Sequence, residues 1–274
     1  MPEGDTLHRV AARLRPALAG RQLTRFEAQR LWGERPRAGD RIEGVEARGK
    51  HLLVHFAGGL TLRTHLRMNG SWHLYAPGER WRRPRGQVRV AIEVEGGWQA
   101  VCFAAPDVET YRRTATGGPG TAPPVLDALG PDLCQPDIDL GVVLARLSTT
   151  PSPDAEVGEV LLDQRVASGI GNVYKSEVCF ACRLDPFTPL AELGDADRRR
   201  VYEVAHRLLR ANLGAGPRRT HPGPGGVAVY RRPGRPCPRC GTAISVTRQG
   251  PYARATYWCP GCQVRPAVEP GNRG

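Results

Sequence analysis

The stretch LLVHFAGGLTLRTHL, residues 52–66, decides the fold of the first half of the chain. Leu52, Val54 and Phe56 occupy alternate positions, Gly58-Gly59 interrupts them, and Leu60, Leu62, Thr64 and Leu66 resume the alternation. A period of two gives a strand one apolar face, and a glycine pair supplies the left-handed backbone of a tight hairpin turn. The pattern recurs: Val88, Val90, Ile92 and Val94 alternate, Gly96-Gly97 turns the chain, and Trp98–Phe103 returns. Glycine-turned hairpins over about 21–104 predict an antiparallel β-sandwich or barrel. Upstream, Leu7, Val10, Ala11 and Leu14 recur at helical spacing. They predict a helix over 5–20, capped by Asp5 or Thr6, weakened at Pro16 and ended by Gly20.

Downstream, ATGGPGTAPP (115–124) has linker composition, and beyond it the apolar spacing is helical again. Asp139 is placed to cap a helix through Leu140, Val143, Leu144 and Leu147, and Asp154 a second through Val157, Val160, Leu161 and Leu162. The turn Ser168-Gly169-Ile170-Gly171-Asn172 leads into a helix over Val173–Cys182, and another covers about 197–213. The Gly-, Pro- and Arg-rich residues 214–226 read as a mobile loop and 270–274 as a frayed tail.

Cys237 and Cys240 form one C-x-x-C pair, and Cys259 and Cys262 form a second. Two such pairs at this separation match a tetrahedral zinc site. Four thiolates leave no position open for a water, so the expected cofactor is one structural Zn2+. Cys179-x-x-Cys182 has no second pair nearby and lies in a helical pattern, so both read as core thiols.

The chain has 39 basic and 27 acidic residues, net +12, spread along its 274 residues in pairs such as Arg82-Arg83, Arg112-Arg113 and Arg218-Arg219. A distributed excess of this kind suits a polyanion, nucleic acid first, although a GC-rich genome also enriches arginine. No apolar run reaches the length of a membrane span, and Met-Pro-Glu-Gly-Asp lacks the features of a secretory signal, so a cytosolic location is expected.

Four short stretches carry polar groups suited to chemistry. Gly169-Ile170-Gly171-Asn172 opens a helix whose N-terminus suits an anion, although a plain cap explains Asn172 as well. Arg48-Gly49-Lys50-His51 leads into a strand, where a lysine is ordinarily solvated surface. Arg67-Met68-Asn69 breaks the alternation after the return strand, so Met68 is either a wedge for a base stack or a packed core residue. Removal of Met1 would leave Pro2 as a secondary amine beside Glu3. An α-amino group titrates near pH 8 and can attack an electrophilic sugar carbon.

Taken together, these stretches resemble the formamidopyrimidine-DNA glycosylase and endonuclease VIII family of base-excision repair enzymes. The resemblance runs through PEG (2–4), RGK (48–50), THLRMNG (64–70), LGPDL (129–133), LLDQ (161–164), GIGNVYKSE (169–177) and RATYWCPGCQ (254–263). It implies an α+β multidomain fold: an N-terminal antiparallel β-sandwich with a leading helix (1–116), a hinge (117–128), a helical helix–two-turn–helix domain (129–230), a β-hairpin zinc finger (231–264) and a tail (265–274). It also implies a bifunctional glycosylase and abasic-site lyase acting as a monomer on damaged double-stranded DNA. Pro2 then looks like the Schiff-base nucleophile, Glu3 the proton donor, and Lys50 and Arg254 phosphate-contacting residues that assist elimination. Arg67, Met68 and Asn69 look like the group that fills the duplex gap, with Asn172 and Lys175 as DNA contacts from the two-turn element. Gly4 and YWCPGCQ match the endonuclease VIII branch, which favours oxidised pyrimidines, whereas His65–Met68 and Val229–Arg232 look closer to the purine-directed branch. Asp5-Thr6 replaces a usual Pro-Glu pair, and Asn69 replaces an expected aromatic.

Overall fold

The computed structural model describes residues 2–113 and 122–266. Met1, residues 117–121 of the expected hinge and residues 267–274 of the expected tail lie outside the described residues. The chain divides into two compact units, Met1–Leu129 and Gly130–Gly274. No helix among the described residues is long and apolar enough to cross a membrane.

In the first unit, helix α1 (Gly4–Leu18) precedes eight strands: β1 (Leu23–Glu27), β2 (Ile42–Arg48), β3 (His51–Phe56), β4 (Leu60–His65), β5 (Ser71–Tyr75), β6 (Val88–Val94), β7 (Gln99–Phe103) and β8 (Asp107–Arg112). They form two four-stranded antiparallel sheets, ordered β1-β6-β7-β5 and β2-β3-β4-β8. The glycine pairs turn the chain as their composition predicts: Gly58, Gly59, Gly96 and Gly97 all have positive φ. Leu52, Val54, Phe56 and Leu62 meet Val90, Ile92 and Val94 in one core, which Leu7, Ala11, Leu14 and Leu18 of α1 join.

Two local expectations change. The cap of α1 is Glu3, not Asp5 or Thr6. Its side chain accepts from the Thr6 N–H, and its own N–H donates to Thr6 Oγ1 at 3.4 Å, so Thr6 acts from the third helical position. The alternation expected in β3 is absent from its burial, because every residue from His51 to Phe56 is buried. Leu53, on the face away from the main core, packs with Leu126 and Leu129, around a one-turn helix α2 (Pro124–Asp127) inside the expected hinge. The sheet is covered on both sides there, which removes the polar face.

The second unit contains α3 (Leu140–Thr149), α4 (Val157–Val160), α5 (Asn172–Ala181), α6 (Asp195–Arg210) and the antiparallel hairpin of β9 (Ser245–Gln249) and β10 (Arg254–Trp258). Asp139 caps α3 as expected, accepting from the N–H groups of Gly141 and Val142. The cap of α4 is Glu156, not Asp154, in a reciprocal box with Glu159. Residues 214–226, expected to be mobile, are tied down. The Glu177 carboxylate accepts from Thr220 Oγ1 (2.6 Å) and from the N–H groups of Ala228, Val229 and Tyr230 (2.8–2.9 Å). Asn212 clasps Arg219 from both sides of its amide, and the Arg218 guanidinium lies 5.0 Å from the Tyr174 ring.

Candidate DNA-processing site

In the first unit, helix and strand geometry bring the candidate residues to one end of one sheet. Gly20 N–H donates to Ile42 O, and Arg15 Nε donates to Val45 O at 2.8 Å, so the C-terminal end of α1 lies beside the start of β2. From Arg15 back to Gly4 the helix climbs about 16 Å at 1.5 Å per residue. From Val45 to Gly49 the strand advances about 13 Å at 3.3–3.4 Å per residue. The N-terminus of α1, with Glu3 and Pro2, therefore lies at the same end as the turn carrying Lys50. That turn is Gly49-Lys50, closed by the Arg48–His51 pair, and Gly49 supplies its positive φ of 57°.

The same end holds the Met68 turn. His51 pairs with His65 across β3 and β4, and His65 pairs with Asp107 across β4 and β8. Leu66–Gly70 is a tight loop: Gly70 N–H donates to Leu66 O at 2.9 Å, and a Cβ on Gly70 would sit 2.6 Å from that oxygen. Leu66 and Gly70 are buried, whereas Arg67, Met68 and Asn69 between them are exposed, Met68 by 52%. Met68 is thus a surface residue and not the packed core alternative. Arg67 adopts a left-handed φ of 47° and its Nε donates to Asp107 Oδ2 at 2.8 Å.

Beneath this surface lie two neutral histidines, with rings 4.8 Å apart. Burial lowers His51 to about 2, aided by the neighbouring His65 and Arg63. Burial lowers His65 to about 4, with Arg67 pushing it further down and Asp107 pulling it up. Arg63 Nη1 donates to His51 Nδ1 (2.8 Å), and its Nε donates to Glu109 (2.5 Å). The floor of the site therefore carries arginine charge and no imidazolium at neutral pH.

In the second unit, Asn172 is the first residue of α5, preceded by the extended Gly171, so it sits at the positive end of the helix dipole. Gln164, in the LLDQ stretch, shapes the approach: its amide donates to Ile170 O and accepts from Gly169 N–H. Asn172 Nδ2 donates to Ala255 O at 2.7 Å, and its buried Oδ1 accepts no hydrogen bond from the described residues. Arg254 starts β10 and is exposed. Lys175 departs from expectation: it is wholly buried, and its Nζ donates to Thr256 Oγ1 at 2.5 Å. An ammonium at that depth is no surface contact for DNA.

The four cysteines behind Arg254 could hold a metal ion: all four Sγ atoms lie within 4.8 Å of one another. Cys240 Sγ is 3.4 Å from Cys259 Sγ, and Cys237 Sγ is 3.8 Å from Cys262 Sγ. A tetrahedral ion about 2.3 Å from each sulfur separates its ligands by about 3.8 Å, so the quartet fits one. The Thr242 hydroxyl and N–H hold the Cys240 thiol down at about 6. Cys179 is buried in the helical core, and burial raises both it and Cys182, to about 11 for the latter, as inert core thiols require.

Residues 1–106 match the family model described as the formamidopyrimidine-DNA glycosylase N-terminal domain, and residues 129–221 match its H2TH domain. A probable endonuclease 8 2 of Streptomyces coelicolor is 44% identical over 279 residues, spanning 100% of this chain and 98% of the relative. The chain belongs to the formamidopyrimidine-DNA glycosylase and endonuclease VIII family. The DNA-(apurinic or apyrimidinic site) lyase Nei2 of Mycolicibacterium smegmatis is 36% identical, over 96% of this chain and 99% of its own. Among solved structures, the MutM (Fpg) protein of Thermus thermophilus superposes with a TM-score of 0.75 at 29% identity, covering 96% of this chain and 98% of that one. A Lactococcus lactis Fpg in complex with an abasic site containing DNA has the same fold at 22% identity and a TM-score of 0.76, covering 95% and 99%.

Within this family member, three contributors went unread in the sequence. Glu177 is a buried carboxylate whose four donors come from 43 to 53 residues downstream, a separation no local pattern reports. Asp107 reaches Arg67 only through strand register. Arg239 ties the finger to α5, donating to Phe180 O at 3.1 Å and lying 4.1 Å from the Phe180 ring. A basic residue inside a C-x-x-C pair was the available signal for the last.

Proposed function

We propose that this protein removes oxidised bases from damaged double-stranded DNA, pyrimidines in preference, and then cleaves the abasic strand. The observation that carries the reading is the convergence of the α1 N-terminus, the Gly49-Lys50 turn and the exposed Met68 turn at one end of one sheet. A nucleophile, a cation for phosphate and a wedge for the vacated stack are what base extrusion and lyase chemistry require together. The names of the relatives, endonuclease 8 and abasic-site lyase, support the same reading.

Removal of Met1 frees the Pro2 amine. Its lone pair forms a bond to C1′ of the flipped nucleotide, the glycosidic bond breaks with its electron pair leaving on the base, and the proton shed by the nitrogen passes to that base. Glu3, at the helix cap, supplies the proton for opening of the sugar ring, which leaves an iminium. Loss of a C2′ proton then expels the 3′ phosphate as the C3′–O bond breaks. Lys50 holds the phosphate on this side. Asn172 and Arg254 grip the backbone as point contacts that fix register without reading sequence. Met68, flanked by Arg67 and Asn69, fills the gap in the stack.

Cys237, Cys240, Cys259 and Cys262 hold one structural Zn2+, which supplies folding energy to the finger and takes no part in the reaction. The working form is a monomer in the bacterial cytosol, with the catalytic sandwich over 1–116, the hinge over 117–128, the helical domain over 129–230 and the finger over 231–264. A duplex panel carrying thymine glycol, 5-hydroxyuracil, 8-oxoguanine, formamidopyrimidine or a plain abasic site tests the reading, with base release and nicking scored separately. Release of the pyrimidine lesions with nicking is expected. Faster release of the purine lesions would move the protein to the purine-directed branch, and tight binding without nicking would make it a non-catalytic damage-binding protein.

A further inference from the structure

Lys175 is a charged side chain with no exposure, in the helix that begins at Asn172. Its ammonium starts a chain of donors that runs one way. Lys175 Nζ donates to Thr256 Oγ1 (2.5 Å), Thr256 Oγ1 donates to Gln249 Oε1 (2.7 Å), and Gln249 Nε2 donates to Glu156 Oε2 (2.8 Å) and Pro186 O (2.8 Å). The chain thus runs from an ammonium to a carboxylate through a hydroxyl and an amide, and links α5, both hairpin strands and the cap of α4. Thr256, Gln249 and Lys175 are all buried, so the bonds among them are shielded from water and polarise one another, and the bond to Glu156 is part-buried. The packing admits no slack: a Cβ on Gly158 would lie 2.4 Å from Gln249 Oε1, and one on Gly250 would lie 2.5 Å from Glu159 Oε1.

The register of this brace points at Arg254. Side chains two apart on a strand share a face, so Arg254 lies on the same face of β10 as Thr256, one step nearer the hairpin tip. Three α5 residues meet three successive residues of β10: Asn172 at Ala255 O, Lys175 at Thr256 Oγ1, and Ser176 Oγ at Tyr257 N–H. We infer that Lys175 is a positioning residue: through Thr256 and Gln249 it sets the strand that carries Arg254 against the helix that carries Asn172, so that both grip DNA phosphates as one rigid unit. This rests on the proposed DNA-processing function for its consequence, but not for the brace itself.

The test uses the full-length, zinc-loaded protein. Lys175→Met replaces the ammonium by an apolar group of similar length, and Thr256→Val removes the hydroxyl while leaving Lys175 in place, so the two variants break the same bond from opposite ends. Hydrogen exchange without DNA reads the brace directly: in Lys175→Met and Thr256→Val, amides of residues 245–258 should exchange at least tenfold faster, with zinc content unchanged, whereas Thr256→Ser, which keeps the hydroxyl, should match the parent protein. Affinity for a duplex with an uncleavable abasic analogue reads the consequence. Lys175→Met and Arg254→Gln should each weaken binding about tenfold and each lower the salt slope by about one phosphate contact. The double variant should be no weaker than Arg254→Gln alone. Multiplying losses in the double variant, or unchanged exchange in Lys175→Met, would overturn the inference. A parent protein that binds no abasic duplex would contradict the proposed function while leaving the exchange comparison to judge the brace.

Discussion

The N-terminal sandwich and the C-terminal finger both present antiparallel hairpins, held in opposite ways. In β3 of the sandwich every side chain is buried, and Phe56 and Leu62 belong to a core drawn from both sheets and α1. In β9 of the finger, Val246, Thr247 and Arg248 are exposed, and only Gln249 is buried. Apolar burial at about 25 cal/mol per Å2 holds the first. Four cysteines that could hold a metal ion and a short run of polar bonds hold the second. A hairpin fixed by so few groups is loosened by the loss of one polar bond and depends most on its cysteine quartet. A broad core tolerates single losses and positions its turns by register.

The largest expected effect separates the two regions completely. Metal chelation, or Cys259→Ser, should melt residues 245–258 and leave the sandwich transition in place, because structural zinc contributes about 10–16 kcal/mol in isolated finger peptides. Calorimetry or hydrogen exchange on the chelated protein checks this. A single cooperative transition that loses both regions would blur the contrast. Next comes Phe56→Ala, which empties a fully buried site and should cost the sandwich about 3–5 kcal/mol by urea denaturation without releasing metal.

A third difference is set by pH. His51 and His65 have folded values of about 2 and about 4, below the ordinary 6.5, so the unfolded chain takes up protons that the folded sandwich refuses. Stability from these two rings is intact above pH 6.5 and is lost as pH falls below it toward the folded values. Between pH 7 and pH 5 the sandwich should lose about 3–4 kcal/mol, and His65→Gln should remove about half of that dependence. Denaturation curves at the two pH values decide it. The smallest effect is expected at the surface: Asp107→Ala breaks an exposed pair with Arg67 and should cost the sandwich about 1 kcal/mol or less.

The contrast also marks what could be read from residues alone. Period-two runs and glycine pairs disclosed the hairpins because a strand declares its buried face locally. Asp139 disclosed its helix for the same reason. The caps at Glu3 and Glu156 escaped notice because a glutamate at a helix start ordinarily reads as first-turn charge. The second covered face of β3 depends on Leu126 and Leu129, more than seventy residues downstream. Lys175 reads as a DNA contact because the sequence shows its charge but not the Thr256 hydroxyl that takes its hydrogen bond. The composition of 214–226 carries no sign that Glu177 takes the Thr220 hydroxyl within it and the N–H groups of Ala228, Val229 and Tyr230 just beyond it. Short-range pattern thus revealed elements and motifs, while long-range polar pairing decided which charged residues face solvent.

The central claim is that the amine of Pro2, at the same end of the sandwich as the Lys50 turn, is the nucleophile. Borohydride trapping on an abasic duplex tests it most directly, using protein verified by mass to have lost Met1. A covalent protein–DNA adduct is expected, reduced at least a hundredfold in Pro2→Gly and absent when Met1 is retained. No adduct from the Met1-free protein, or undiminished trapping by Pro2→Gly, would contradict the account.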